Sequence, residues 1–129
     1  MGEALYDTSV LVELQRRGVR ELRGYTTILN VVEYPKVLRI RGLKVIYPDV
    51  RDHNLALVIS KDLYKLGKPV PAIDVVVAAV AVNRGLKLIA SDRHFEYVRE
   101  VRRDLVLEVP AERSDSRGGS TDETGGGLA

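Results

Sequence analysis

The stretch Pro71 to Phe95, PAIDVVVAAVAVNRGLKLIASDRHF, constrains the fold of this chain more than any other. Its first half carries apolar residues at three- and four-residue steps, which predicts a buried helix that ends at Gly85 as a C-terminal cap. Residues 86–90 then predict a short apolar strand. Because the loop between the two elements is so short, the strand must run back along the helix. The apolar helical positions are Ile73, Val76, Val77 and Val80.

This geometry brings two carboxylates together. A helix of about twelve residues spans about 18 Å, and five or six strand residues span much the same distance. Asp74, in the first helical turn, and Asp92, just past the strand, should therefore face each other. Each acid also has a purely structural explanation, because Asp74 suits a helix N-terminus through the macrodipole and Asp92 can cap the following helix.

Composition limits the class of protein. The chain has 129 residues, 45% hydrophobic and 29% charged, which suits one globular domain and is too short for two. The net charge of +2 permits a polyanionic partner without demanding one. With no cysteine and only His53 and His94, disulfides are excluded and any metal is expected to be held by oxygen.

Nothing in the sequence indicates a membrane protein. No signal-peptide pattern opens the chain, and the longest strongly apolar run, residues 75–82, is far shorter than a membrane span. We therefore expect a cytoplasmic protein with no membrane partner.

Strand-like and helix-like segments alternate along the chain. This alternation predicts one α/β domain over residues 1–112, with a mostly parallel twisted sheet flanked by helices on both faces. Pro35 is expected to cause a local irregularity rather than a break. Residues 113–129, rich in Ser, Gly, Asp, Thr and Arg, predict a flexible low-complexity tail. Besides the unit above, the predicted strands are 4–6, 25–29, 44–47 and 105–109, and the predicted helices are 10–17, 30–41, 50–66 and 95–103.

Four acids fall at the carboxyl ends of these strands, where ligands bind in open parallel sheets. Asp7 ends the first strand, and Asn30 with Glu33 fits a capping box that places Glu33 in the first turn of the second helix. Asp74 and Asp92 complete the set. A capping role explains Glu33 fully when it is taken alone, so the functional interpretation depends on the four acids arriving together.

Converging carboxylates repel one another and stay ionised at neutral pH only when a hard divalent cation joins them. Mg²⁺ or Mn²⁺ fits oxygen ligands best, and Mg²⁺ commonly completes its coordination with water and substrate phosphates. The acids therefore predict a metal site acting on a phosphate-bearing substrate.

The sequence resembles the PIN-domain nucleases, in particular the VapC-type toxin ribonucleases, over about residues 3–109. The likeness is carried by YDTSVLVEL at residues 6–14, by the acid of VVEYP at Glu33, and by the block from Pro71 to Phe95. It implies a metal-dependent endoribonuclease that hydrolyses RNA as the toxin of a toxin-antitoxin pair. It also implies a homodimer and a cognate antitoxin. The acids that would bind one or two Mg²⁺ or Mn²⁺ ions are Asp7, Glu33, Asp74 and Asp92.

The same resemblance suggests supporting residues. Thr8 and Ser9 match hydroxyl positions that follow the first acid, and Ser91 stands where the family often has threonine, so they are expected to orient water or phosphate. Arg93 and His94 follow Asp92 closely enough to touch a nucleic-acid backbone. Exposed charge beside a helix start explains that pair equally well.

Other functions remain open. The chain would also suit an RNA-processing enzyme, or a catalytically idle PIN module that binds RNA or a protein partner. A receiver-like signalling domain gathers acids and Mg²⁺ at the same sheet edge, but it would show an adjacent acid pair after the first strand and a lysine after a late strand. Here Asp7 is followed by Thr8 and Ser9, and residues 88–92 contain no lysine.

Overall fold

The computed structural model describes residues 3–110, so the predicted tail at 113–129 and the end of the predicted domain lie outside the described part. Strands and helices alternate through most of this part. The strands are β1 (Ala4–Tyr6), β2 (Glu21–Thr27), β3 (Arg41–Ile46), β4 (Lys87–Ile89) and β5 (Leu107–Glu108). The helices are α1 (Thr8–Arg16), α2 (Ile28–Glu33), α3 (Val50–Leu66), α4 (Ala72–Arg84) and α5 (His94–Val101), with a 3₁₀ helix at Pro35–Arg39.

The five strands form one parallel sheet in the order β3-β2-β1-β4-β5, as the alternating pattern predicts. The chain builds outward from β1 to β3, then crosses back to place β4 on the other side of β1. The strand order therefore reverses between β1 and β4, and such a switch point leaves a crevice beyond the carboxyl ends of the two strands. The backbone N–H of Asp7 donates to the carbonyl of Ile89 at 3.0 Å and joins the two ends.

Helices cover both faces of the sheet. Leu5 on β1 packs into a cluster with α3, α4 and α5, whereas the next residue, Tyr6, packs against a second cluster formed by α1, α2 and the 3₁₀ helix. Successive strand residues point to opposite faces, so these clusters are the two layers that sandwich the sheet. The predicted α/β architecture is confirmed.

The helix predicted for the first half of the stretch Pro71 to Phe95 is confirmed as α4. Gly85 adopts a left-handed conformation with φ of 64°, and the N–H of Leu86 donates to the carbonyl of Ala81 at 2.9 Å, which closes the helix. The predicted apolar stripe is confirmed at Val77 and Val80 and, half-buried against the same core, at Val76, whereas Ile73 is exposed. The helix packs against α3, α5 and the sheet, so the buried face is broader and includes Val75, Val77, Ala78, Ala79, Val80 and Ala81.

The second helix differs from its prediction. Thr27, rather than Asn30, is its N-cap, because the Thr27 hydroxyl accepts from the Asn30 N–H at 3.3 Å while Asn30 Oδ1 accepts from the Thr27 N–H at 3.2 Å. The strand before it accordingly ends at Thr27 instead of residue 29. Glu33 is then the last residue of α2 and not part of its first turn.

Pro35 interrupts this helix completely, so the expectation of only a local irregularity was wrong. Tyr34 leaves the helical region with φ −146° and ψ 82°, since a following proline disfavours the helical conformation, and a separate 3₁₀ helix begins at Pro35. The predicted continuation of helix through residue 41 is replaced by this 3₁₀ helix and the start of β3. The other boundaries differ from prediction by a few residues.

Among the helices of residues 3–110, none is both long enough and apolar enough to cross a bilayer.

Candidate functional site

A cleft of about 580 Å³ lies at the carboxyl edge of the sheet, beyond β1 and β4. Its lining brings together the four predicted acids and three of the predicted supporting residues. Ser91 and Arg93 are not among the described lining residues. Ser91 is half-buried just beyond β4, and Arg93 is exposed at the N-cap position of α5. The predicted site residues that line the cleft are Asp7, Thr8, Ser9, Glu33, Asp74, Asp92 and His94.

Asp7 lies deepest in this acidic cleft, with 6% of its surface exposed. It directly follows β1 and occupies the N-cap position of α1, although its side chain makes no capping hydrogen bond. Instead, Oδ1 accepts from Nδ2 of Asn30 at 3.2 Å, and Oδ2 accepts from the hydroxyl of Ser9 at 3.4 Å. The carboxylate is therefore held toward the cleft rather than used to start the helix.

The surroundings of Asp7 oppose its ionisation. Burial raises its pKa to about 6, and the negative charges of Asp74 and Glu33 act in the same direction. Hydrogen bonds from the backbone of Thr8 and from the side chain of Asn30 oppose the rise without cancelling it. A cation bound among these carboxylates would favour the ionised form of Asp7 and lower its pKa.

Asn30 connects Asp7 to Glu33. Its Nδ2 also donates to Oγ1 of Thr8 at 2.8 Å, and the Thr8 hydroxyl donates to Oε1 of Glu33 at 2.8 Å. Its Oδ1 accepts from the backbone N–H of Thr27, which can only donate, so the orientation of the amide is fixed. The two carboxylates are thus linked through two neutral side chains of defined orientation.

Asn30 is a site residue that the sequence analysis missed. It was assigned only a capping role, yet its side chain is completely buried and contacts Asp7 directly. The available signal was a polar residue one helical turn before a candidate acid, which places both on the same helix face.

Asp74 and Asp92 form the other half of the acidic cleft, and His94 lies between them. Nδ1 of His94 is 3.0 Å from Oδ2 of Asp74 and 3.2 Å from Oδ1 of Asp92. Because a carboxylate can only accept, Nδ1 carries the proton in this arrangement. The backbone N–H of His94 also donates to Oδ1 of Asp92 at 2.9 Å. Asp74 and Asp92 therefore face each other across an imidazole that was expected either to touch nucleic acid or to be exposed beside a helix start.

The pKa of Asp74 is raised as well. Burial is the main cause, the charges of Asp92 and Glu33 add to it, and the hydrogen bond from His94 opposes it. The raised pKa values of Asp7 and Asp74 have a common origin, namely partly buried carboxylates that repel their neighbours.

These side chains fit a hard divalent cation. Oxygen donors predominate, and the described lining contains four carboxylates and no lysine or arginine. One potential ligand atom from each of Asp74, Asp92 and His94 lies within 4.8 Å of the others. Asp7 and Glu33 face the same cleft outside that tight group, so the site has two halves.

Solved structures that share this architecture include chains of VapBC complexes. A chain of the DNA-bound VapBC complex from Salmonella typhimurium is 19% identical, with a TM-score of 0.66 and coverage of 84% of this chain and 98% of that one. A chain of VapBC-1 from nontypeable Haemophilus influenzae is 18% identical, with a TM-score of 0.65 and coverages of 82% and 96%.

A third example is VapBC-5 from Mycobacterium tuberculosis, a member of the VapBC family of toxin-antitoxin systems. It is 18% identical, with a TM-score of 0.64 and coverages of 84% and 98%. No family model matches the chain, and no curated protein does. At these identities the likeness concerns the fold, and the protein has a PIN-like fold.

Strand order separates this fold from the receiver-like alternative. Receiver domains have the flavodoxin-like order 2-1-3-4-5, in which the third strand pairs with the first. Here β3 lies at the sheet edge beside β2, and β4 pairs with β1. The receiver-like interpretation is therefore wrong.

Proposed function

We propose that the acidic cleft is the active site of a metal-dependent endoribonuclease, and that the chain is the toxin of a toxin-antitoxin pair. The observation that carries the proposal is the convergence of Asp7, Glu33, Asp74 and Asp92 from four separate segments on the switch point of the sheet. Helix capping does not account for all four acids, since Asp7 makes no capping bond and Glu33 ends its helix.

Asp7, Asp74 and Asp92 would hold Mg²⁺ or Mn²⁺, and Glu33 would bind the ion or a coordinated water. Such an ion supplies a water nucleophile at neutral pH and neutralises charge on the reacting phosphate. No side-chain nucleophile is then required. The cleft accordingly suits hydrolysis of a phosphodiester bond.

The chain's own residues set the shape of this site. Asn30 and Thr8 fix the distance between Asp7 and Glu33, and His94 holds Asp74 and Asp92 together. Ser9 is exposed at the cleft, where its hydroxyl can orient water or a phosphate oxygen. Arg93 is exposed beside the cleft and remains a proposed backbone contact.

The toxin assignment is supported by the solved structures that share this fold. They include chains of VapBC complexes, one of which is described as a member of a family of toxin-antitoxin systems, and this chain covers 96% or more of each of the three compared chains. We infer a cognate antitoxin as partner, a homodimer, an RNA substrate and a cytoplasmic location. An RNA-processing enzyme or an idle PIN module would share the cleft and differ in activity or substrate.

Cleavage of labelled RNA tests the proposal. Purified protein is incubated with RNA or single-stranded DNA and Mn²⁺, with and without excess chelator. Asp92→Asn removes one charge from the cleft, and Asp62→Asn makes the same change on α3 outside it. We expect RNA cleavage by the parent and by Asp62→Asn, and none by Asp92→Asn or in chelator.

Other results would assign another function. Absence of cleavage in any metal would favour the idle module, and cleavage that persists in chelator or in Asp92→Asn would remove the metal site from the mechanism. Cleavage restricted to one precursor RNA would favour RNA processing over a toxin.

A further inference from the structure

A second concave site lies at the far end of α1 from the acidic cleft. It has a volume of about 440 Å³ and its described lining contains cationic side chains and no acidic one. We call this site the basic pocket and define it by its four cations, Arg16, Arg20, Lys36 and Arg39.

Neighbouring acids do not neutralise the basic pocket. Glu13 pairs with Arg17 at 3.1 Å, and Glu21 pairs with Arg41 at 3.8 Å. Within residues 3–110, none of the four pocket cations is in an ion pair. The pocket therefore concentrates four uncompensated positive charges on a chain whose net charge is only +2.

Backbone geometry brings Arg20 to the end of α1. Gly18 has a φ of 90°, and its N–H donates to the carbonyl of Gln15 at 3.0 Å. The N–H of Val19 donates to the carbonyl of Leu14 at 3.0 Å, which turns the chain sharply out of the helix. Arg20 consequently lines the same pocket as Arg16, although it belongs to the entry of β2.

The 3₁₀ helix supplies the other wall. Nε2 of Gln15 donates to the carbonyl of Lys36 at 2.8 Å and fastens this helix to α1. In a 3₁₀ helix, side chains three positions apart lie on the same side, so Lys36 and Arg39 share one face. The macrodipole of α1 explains a cation at Arg16, but it does not explain cations on three separate segments.

We propose that the basic pocket binds backbone phosphates of a single-stranded RNA whose scissile bond lies in the acidic cleft, an inference that rests on the proposed function. Helix α1 begins with Thr8 in the cleft and ends with Arg16 in the pocket. Eight helical steps span about 12 Å. A stacked single strand covers that distance in three to four nucleotides, at about 3.4 Å each.

The chemistry of the pocket favours RNA over an acidic peptide. Guanidinium groups match phosphate oxygens in pairs, and three of the four cations are arginine. Tyr34 lines the pocket directly after Glu33 of the cleft, and it offers an aromatic face on which a base can stack. An acidic peptide would use the charges and leave the aromatic ring without a specific role.

Binding of RNA in excess chelator tests this inference without requiring cleavage. The probe is a fluorescently labelled single-stranded RNA of about twelve nucleotides, followed by anisotropy over a range of salt concentrations. The variant Arg16→Gln/Arg39→Gln is compared with Arg99→Gln/Arg103→Gln, which removes the same charge from the region of α5. All four of these arginines are exposed, so folding should be retained in both variants.

Each phosphate contact to a single strand contributes about 0.7 to the slope of log K against log salt, which is about fivefold in affinity at 0.1 M salt. We expect the pocket variant to bind about 25-fold more weakly at that salt and its slope to fall by about 1.4. The control should bind like the parent. Equal losses in both variants, or an unchanged slope in the pocket variant, would overturn the inference.

A polyglutamate peptide of similar charge provides the competing occupant. If it binds as tightly as the RNA and its binding depends on Arg16 and Arg39, the pocket is an acidic-peptide site and the inference is wrong. The two proposals fail separately. If Mn²⁺-dependent cleavage is lost in Asp92→Asn but the salt slope of the pocket variant is unchanged, only the proposal for the basic pocket is refuted. If the salt slope depends on the pocket but no protein cleaves RNA, only the nuclease proposal is refuted.

Discussion

Asn30 donates from Nδ2 to Oδ1 of Asp7 at 3.2 Å, across the gap between α2 and the end of β1. The same nitrogen donates to Thr8, so one buried amide positions both the deepest acid and the hydroxyl that binds Glu33. This relationship makes Asn30 a positioning residue for the acidic cleft.

Asn30→Ala should therefore weaken the cleft as well as the fold. Loss of its hydrogen bonds leaves the N–H of Thr27 buried without its partner and is expected to destabilise the protein by about 1–3 kcal/mol. Calorimetric titration should also show weaker Mn²⁺ binding, since Asp7 and Glu33 are no longer held in position.

Asn83→Ala is the matched control, because Nδ2 of Asn83 donates to Oδ1 of Asp52 at 2.9 Å outside the cleft. It should lower stability and leave Mn²⁺ affinity unchanged. Unaltered Mn²⁺ affinity in Asn30→Ala would show that Asn30 serves only to cap α2.

The raised pKa of Asp7 predicts a pH dependence of the metal-free protein. The folded-state pKa is about 6, whereas an unfolded aspartate titrates near 3.9. The folded chain binds the proton more tightly, so its stability falls as pH rises from about 4 to 6 and stays lower above that range. The difference between these two pKa values corresponds to a loss of roughly 3 kcal/mol in the free energy of unfolding.

Asp7→Asn carries no charge to bury and should lack this fall. Urea unfolding of parent and variant between pH 4 and 7, after removal of metal, measures the difference between their free energies of unfolding. If the free energies of unfolding of parent and variant changed in parallel with pH, the assignment of a raised pKa to Asp7 would be contradicted.

A different acid stabilises the pairing of α3 with α4. Asp52 is 1% exposed, and it accepts from Nη1 of Arg84 at 2.8 and 2.9 Å and from Asn83. Burial by itself would raise the pKa of Asp52, but these hydrogen bonds outweigh it and lower the pKa to about 2. Its stabilisation is therefore present above about pH 4 and is lost as the pH falls toward 2.

Asp52→Ala should destabilise the protein at pH 7 by about 1–3 kcal/mol, because Arg84 and Asn83 lose the buried carboxylate that accepts from them and Arg84 retains only Asp49 at 3.8 Å. Chemical unfolding measures this loss, and Mn²⁺ binding below the unfolding transition should stay normal. A variant as stable as the parent would show that the ion pair contributes nothing net.

The sequence predicted those parts of the site that local geometry determines. Helix and strand rise per residue place Asp74 opposite Asp92 without any knowledge of the rest of the chain. The Thr27–Asn30 and Asn30–Glu33 pairs both have capping-box spacing, and pairing of β2 with β3 through Thr27 decides between them. That decision depends on distant residues, so Glu33 was placed in the wrong helical turn.

Long-range contacts account for what the sequence analysis missed. The position of His94 between two acids depends on how α5 leaves β4, and the basic pocket depends on α1 docking against the 3₁₀ helix. Neither arrangement has a local sequence pattern. Arg93 and His94 were expected either to touch nucleic acid or to be exposed charge beside a helix start, and sequence spacing alone does not reveal the two acids on either side of His94.

Melting of Asp74→Asn tests most directly whether the acidic cleft is a metal site. In chelator the variant should melt at a higher temperature than the parent, because removing one charge relieves repulsion from the neighbouring acids. In millimolar Mn²⁺ the parent should gain more than the variant, since a weaker site gains less stability by mass action. Asp62→Asn on α3 should behave like the parent in both conditions.

The decisive measurement is the Mn²⁺-induced rise in melting temperature of parent and Asp74→Asn at the same ion concentration. A large rise in the parent and a small one in the variant is the predicted result, whereas equal rises would contradict the assignment of Asp74 as a metal ligand.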